Sequence, residues 1–174
     1  ALEAWINPRN LAGKDRCIIS KIGGVSGNYG YQLGIASSSG TGISLLFNTA
    51  GGPWPEFMLQ TTSLPPLNQW TYVAGVYDYD TLKIYVNGAL EASSYVGVWT
   101  VVDSSSPLRI GVDDNDFAYF DGRIDEPRVW SRALGAAEIL NHYHDTSSLP
   151  FRINSNADFP TYADSGNGTG GNPW

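Results

Sequence analysis

The 174-residue chain predicts an all-β sandwich or barrel. Two observations carry this. Short apolar runs recur along the chain, and Gly (20 residues) and Pro (10 residues) punctuate them at frequent intervals instead of collecting in one linker. Its 22 aromatic residues are enough to fill a core, and the length suits one domain with or without a tail.

The elements follow in order. Leu2–Ile6 ends at Asn7-Pro8, Cys17–Ile22 at Gly23-Gly24, and Tyr31–Ala36 in Ser37-Ser38-Ser39-Gly40. Ile43–Phe47 leads into Gly51-Gly52-Pro53, and Phe57–Gln60 precedes Pro65-Pro66. Trp70–Tyr77 and Leu82–Val86 flank a short Asp-rich turn and form a hairpin. Within the second of these, Leu82, Ile84 and Val86 face one way, and Lys83 and Tyr85 the other. Asn87-Gly88 supplies the pair of positive φ angles for a tight turn into Ala89–Ser93. Val96–Val102 and Leu108–Val112 read as further strands. One helix is predicted, over Ala136–Tyr143, with Ile139, Leu140 and Tyr143 on one stripe. From Asn154 the chain turns polar and rich in turn residues, as in a linker or a draped tail, and Asn167-Gly168-Thr169 fits a glycosylation acceptor.

Charge and cysteine narrow the function. Ten Lys and Arg stand against 17 Asp and Glu, a net charge of −7, which argues against nucleic acid and against an anionic membrane surface. No apolar run approaches the ~20 residues of a membrane span. Cys17 is the single cysteine, so no internal disulfide forms, and its Cys-Ile-Ile setting predicts an inert core thiol. The abrupt start at Ala1-Leu2-Glu3-Ala4-Trp5, inside a predicted strand, reads as a processed or excised piece.

Three segments then carry a resemblance. They are Leu2-Glu3-Ala4-Trp5-Ile6-Asn7-Pro8; Trp70–Asp78 with Leu82–Gly88; and Pro107–Gly111 followed by Phe120–Leu134 and the helix. In order and spacing, from Leu2 to about Tyr143, they resemble the laminin-G-like domains of the concanavalin A-like lectin/glucanase superfamily. The resemblance implies an antiparallel jelly-roll sandwich of two curved sheets with one short C-terminal helix. On this reading residues 1–150 are the jelly roll and residues 151–174 a C-terminal extension, linker or draped segment. Three departures stand out. Such domains carry one or two strands before the Leu-x-Ala-Trp strand; here they are missing, and Phe151–Tyr162 is the candidate filler. Pro127 replaces a β-branched residue, so that position is expected at a bulge or an edge. Gly135 stands where a Ser cap is usual, a weaker N-cap.

The superfamily includes glycosidases and lyases, so the resemblance leaves catalysis open. A retaining glycosidase needs two carboxylates ~5–5.5 Å apart. The nearest segment, Arg123-Ile124-Asp125-Glu126-Pro127-Arg128, has Arg at both flanks, and adjacent Asp125 and Glu126 point to opposite faces of a regular strand. They are expected to pair with Arg123 and Arg128. His142 and His144, at i and i+2 in or after the helix, face different ways and are expected at the surface. The expectation is no catalysis.

A non-catalytic sugar site needs exposed aromatics that stack on pyranose faces. Trp5, Trp70 and Trp130 belong to strand patterns and are expected in the core. Trp54, in a loop between prolines, and Trp99 are the candidate platforms, with Tyr29, Tyr31, Tyr85 and Tyr119 as further candidates; Tyr77 lies on the strand beside Tyr85, and Tyr79 in a loop. The run Asp113-Asp114-Asn115-Asp116, with Asp125, is the candidate calcium site, because calcium takes six to eight oxygens from such loops. Asp125 is singled out by the resemblance. The spacing is not that of an EF-hand. The function expected is a lectin-like carbohydrate-binding module of a secreted or cell-surface multidomain protein or polysaccharide-degrading enzyme. Its partners would be a polysaccharide or glycan and other modules of the same chain. A calcium-dependent adhesion or protein-interaction module is the alternative, and a glycoside hydrolase or polysaccharide lyase a further one.

Overall fold

The structure, a computed structural model, describes residues 1–23, 29–48, 57–101, 104–113 and 117–145. Ten strands form two antiparallel five-stranded sheets. The strands are β1 (Leu2–Pro8), β2 (Arg16–Gly23), β3 (Tyr29–Ile35), β4 (Ile43–Asn48), β5 (Phe57–Gln60), β6 (Thr71–Asp78), β7 (Thr81–Val86), β8 (Ala89–Tyr95), β9 (Arg109–Ile110) and β10 (Gly122–Val129). The first sheet runs β10-β1-β6-β7-β8 and the second β5-β4-β3-β2-β9. This is the expected jelly-roll sandwich. Among the described residues no helix is long and apolar enough to cross a membrane.

Period-two alternation decides what each strand buries. From β1, Leu2, Ala4 and Ile6 enter the layer between the sheets, where they meet Leu33 and Ile35 of β3, Leu45 and Phe47 of β4, and Leu82 and Ile84 of β7. The opposite face of the first sheet presents Trp5, Tyr72, Ala74, Val76 and Tyr85. Helix α1 (Ala136–His144) covers that face with fully buried Ile139 and with Tyr143, beside Leu134 of the preceding turn. Tyr143 stacks on Trp5 at 5.7 Å, and Tyr72 meets Trp5 edge-on at 5.5 Å. Cys17 is buried, as its apolar setting predicts.

The Asn87-Gly88 turn forms as read, with φ of 50° and 81°. Asn87 also clamps β6: its Oδ1 accepts from the Tyr72 amide at 2.9 Å, and its own amide donates to the Tyr72 carbonyl at 2.8 Å. A Cβ on Gly88 would stand 2.8 Å from Leu140 Cδ1, so the turn lies directly against the helix. Gly88→Ala is expected to lower stability by about 1–2 kcal/mol, from positive φ and contact with Leu140 together. Urea unfolding measures it, and an unchanged midpoint would contradict this account of the turn.

Pro127 lies both on an edge strand and at a bulge. Glu3 pairs with Arg128 and Trp5 with Asp125, so Ala4 alone opposes Glu126 and Pro127. Glu126 takes a φ of 47° to make the extra step. Gly135 offers no side-chain cap, and the first helical bond runs from the Ile139 amide to the Gly135 carbonyl at 3.0 Å.

Two predicted strands are corrected. Residues 96–101 form no strand: the Val96 and Gly97 amides turn back onto the Asp80 carbonyl, and Gly97 takes a φ of 86°. Of Leu108–Val112, only Arg109–Ile110 pairs, because Gly111 turns at a φ of 77°.

Candidate functional site

Both sheets end together at one rim of the sandwich. There, β6 ends at Asp78, β7 starts at Thr81, β8 ends at Tyr95, β4 ends at Asn48 and β5 starts at Phe57. Ring contacts tie the two sheets at this end: Phe47 meets Tyr77 at 4.6 Å, and Phe57 meets Trp99 at 5.4 Å.

Trp99 is the centre of this rim. Its side chain is 46% exposed, yet the ring is fixed. Nε1 donates to the Val96 carbonyl at 2.6 Å, and the backbone amide donates to the Tyr77 hydroxyl at 2.7 Å. The Tyr77 hydroxyl in turn lies 3.0 Å from the Gly97 carbonyl and 3.2 Å from the Trp99 carbonyl. One side of the indole is packed on Phe57 while part of the ring stays open to solvent, which is what a stacking platform requires. Tyr79, Tyr95, Val98 and Met58 are exposed nearby in the chain or at the same strand ends. Polar groups accompany them: Lys83 Nζ donates to Asp78 Oδ2 at 2.6 Å, a bond that raises the lysine's affinity for its proton.

Beside the platform lies a cavity of about 560 Å³, open at the rim and walled by the inter-sheet layer. Leu2, Gly75 and Leu82 come from one sheet, and Tyr31, Leu45 and Phe47 from the other. Tyr77 joins cavity and platform. At its mouth stand Val129, Trp130, Ser131 and Arg132.

The structure separates the remaining sequence candidates. Tyr31 points into the inter-sheet layer and lines the cavity, so it is no outer-face platform. Tyr85 is only 5% exposed, packed in the cluster beneath the helix, and presents no face to a ligand. That corrects its assignment: the strand alternation was right, but a helix covers the face on which Tyr85 lies. Tyr119 is 58% exposed but sits at the opposite end, just before the Gly122–Pro8 pairing. Trp54 and the side chain of Tyr29 lie outside the described residues. Tyr95 was missed; the signal available was the Ser-, Ala- and Glu-rich β8, a composition that suits an exposed edge strand.

Of the calcium candidates, Asp113 and Asp125 are described, and each is engaged by nearby backbone amides. Asp113 Oδ1 accepts from the Phe117 amide at 2.8 Å and the Ala118 amide at 3.3 Å, closing its own loop. Asp125 Oδ1 accepts from the next amide, Glu126, at 2.9 Å. Asp114 and Asp116 lie outside the described residues. Among the described residues no group of three or more His, Cys, Asp or Glu could hold a metal ion.

A polar cluster that the sequence did not reveal lies beneath the helix. Glu3 is fully buried on the outer face of β1. Its Oε1 accepts from Arg128 Nη1 at 3.0 Å, and its Oε2 accepts from the Tyr72 hydroxyl at 2.5 Å and lies 3.0 Å from His142 Nδ1. Burial by itself would raise the affinity of Glu3 for a proton. Hydrogen bonds from Tyr72, His142 and Arg128 outweigh it and hold the carboxyl below its ordinary range. Burial, then the Glu3 carboxylate, push the Tyr72 hydroxyl well above the usual phenol range. His142 is therefore half-buried and partnered, not a surface histidine; it also stacks on Trp130 at 5.7 Å. Arg128 reaches Glu126 as well, at 2.7 Å, which fulfils part of the ion pairing expected around β10.

The comparisons agree with this architecture. The laminin G 3 family model, described as the concanavalin A-like lectin/glucanases superfamily, matches residues 1–140. The chain belongs to that superfamily. No curated protein matches it significantly. Among solved structures it is similar to a Bacteroides ovatus protein provisionally assigned as carbohydrate binding (24% identity, TM-score 0.62, 80% of this chain and 39% of that one). It is similar to domain 4 of a GH43 extracellular arabinanase from Geobacillus stearothermophilus, solved with arabinotriose (20% identity, TM-score 0.57, 80% and 64%). It also matches the CBM40 of the Ruminococcus gnavus IT-sialidase, bound to α2,3 sialyllactose (18% identity, TM-score 0.64, 82% and 80%). The chain thus spans less than two thirds of the first two of these. At these identities the likeness establishes the fold.

Proposed function

We propose that this domain is a non-catalytic, lectin-like carbohydrate-binding module, and that the Trp99 rim is its sugar platform. The observation that carries the reading is the Trp99 indole, held by three neighbours and still open to solvent. A ring fixed before binding loses little rotamer freedom when a sugar stacks on it. Trp54 joins the proposal from sequence, because it falls between β4 and β5, whose adjoining ends lie at this rim. Carbohydrate ligands of the similar modules, arabinotriose and α2,3 sialyllactose, support the class of ligand. The non-catalytic part of the reading is supported by the carboxylates near β10: Asp125 closes onto a backbone amide, while Glu3 and Glu126 are engaged by Arg128. A secreted or cell-surface multidomain setting belongs to the same proposal, since one shallow platform binds weakly and gains avidity from repetition.

The test is a glycan and polysaccharide array probed with the intact chain. Binding to one sugar class is expected. A chain that binds no glycan at any concentration short of aggregation would overturn the reading. Trp54→Ala is expected to weaken the binding found while leaving the melting temperature within about 2 °C, as loop substitutions usually do. Calorimetric titration and a melting curve check both halves.

A further inference from the structure

We infer that the Trp99 rim selects neutral glycans and rejects those that carry carboxylate or sulfate groups. The inference rests on the platform reading above and adds to it the charge of the sugar. It follows from the charged groups that the fold brings to this end of the sandwich.

Two carboxylates border the exposed rings. Asp78 pairs with Thr81, and Thr81 with Tyr95, so the three residues form a row across β6, β7 and β8 on one face of the sheet. Two cross-strand steps of ~5 Å each separate Asp78 from Tyr95. Tyr95 is 75% exposed, and Asp78 keeps 48% of its side chain in solvent. Asp80 lies beside Trp99. Its carbonyl accepts from the Val96 amide at 2.8 Å and the Gly97 amide at 3.0 Å, and the Val96 carbonyl accepts from Trp99 Nε1 at 2.6 Å. A sugar stacked on either ring therefore sits within about one Debye length, ~8–10 Å, of a carboxylate.

The cations at this end are already engaged. Lys83 is held by Asp78 at 2.6 Å. Lys21, level with Phe47 through Tyr31, donates to the carbonyls of Ser104 and Ser106. Arg132, at the cavity mouth, makes two bonds to Glu138, at 2.8 and 2.5 Å. No Lys or Arg occurs among residues 49–56 or 96–107. An anionic sugar on the rings is repelled by Asp78 and Asp80, and it gains Lys83 only by taking it from Asp78. A neutral sugar instead offers hydroxyl donors, which carboxylates accept in short, charge-assisted hydrogen bonds.

The test extends the array of the intact chain to matched pairs: lactose with α2,3 sialyllactose, and carboxyl-reduced with native polygalacturonate. The strongest binder is expected to be neutral. Its carboxylated counterpart is expected to bind at least about fivefold more weakly at low salt, a gap that narrows as salt rises. An array led by a carboxylated or sulfated glycan sinks the inference and leaves the platform reading standing. An array without any binder removes the platform reading and this inference with it. Asp78→Asn combined with Asp80→Asn then assigns the effect, since it deletes both charges and releases Lys83 to the ligand. Discrimination against the carboxylated counterpart is expected to shrink at least threefold, or by about that factor, while the melting temperature moves by only a few degrees. A double variant that discriminates as sharply as the parent contradicts the assignment to these two carboxylates.

Discussion

Glu3→Ala is expected to cost about 3–5 kcal/mol of stability, the range found when one member of a buried charged pair is removed. In a domain of this size that corresponds to a fall in melting temperature of roughly 6–20 °C. The size follows from what the substitution strands. Glu3 holds Arg128 of the edge strand, Tyr72 of the central strand and His142 of the helix around one fully buried carboxylate. Removing it takes the carboxylate acceptor from the buried Tyr72 hydroxyl, leaves the Arg128 guanidinium with Glu126 alone, and cuts a polar tie between the helix and the sheet. Glu3→Gln keeps the shape and one acceptor oxygen, so its loss should be smaller. A Glu3→Ala protein that melts within a degree or two of the parent would show that the cluster contributes nothing net.

The same cluster sets a pH dependence with a definite sign. In the folded chain Glu3 binds its proton less readily than the ordinary carboxyl value of 4.5. The unfolded chain therefore takes up that proton first, and stability falls as pH falls. The contribution is fully present above about pH 5. It is lost progressively as pH drops through 4.5 toward the lower folded value. Urea midpoints measured from pH 7 to pH 3 should fall more steeply for the parent than for Glu3→Gln, which has no proton to take up there. Parallel curves would remove Glu3 as the cause.

Trp99→Ala is expected to weaken glycan binding by about 30-fold, the ~2 kcal/mol typical of a dominant interface aromatic. Two effects add. The stacking face disappears, and the chain at residues 96–101 loses the Nε1 anchor to Val96 and the ring contact to Phe57. Trp99→Phe separates them, since it keeps a ring but not the anchor, and should fall between parent and alanine. The melting temperature should move by only a few degrees, because Trp99 lies at the rim and not in either core cluster. Equal affinity for Trp99→Ala and the parent would move the sugar site elsewhere.

Much of the fold was legible because strand alternation and turn chemistry are local. The Asn87-Gly88 turn, the Leu82–Val86 alternation and the Ala136–Tyr143 helix each rest on residues within a few positions of one another, and each is found. Pro127 pointed to the edge and the bulge for the same reason: a residue without an amide hydrogen cannot serve a central ladder. The strand predicted over Val96–Val102 failed because its amides found a carbonyl at Asp80, on a different hairpin. Local β-propensity carries no record of that partner.

The candidate site was less legible. Trp99, Tyr85 and Tyr31 look alike in sequence, as aromatics in or near strands. Which of them meets solvent depends on what covers each face. Tyr85 lies under a helix some fifty residues further along the chain, and Tyr31 looks into the opposite sheet. Glu3 shows the point most sharply. A glutamate in a strand reads as solvent-facing, and here three distant residues bring donors to it and make its burial stable. By itself, then, the sequence determined most of the strands and turns, the helix, the class of sandwich and the acidic, aromatic-rich composition. Only the tertiary structure decided which aromatics are exposed together and which carboxylate is buried. Exposure and proton affinity are set by neighbours distant in the chain, and periodicity records only neighbours that are near.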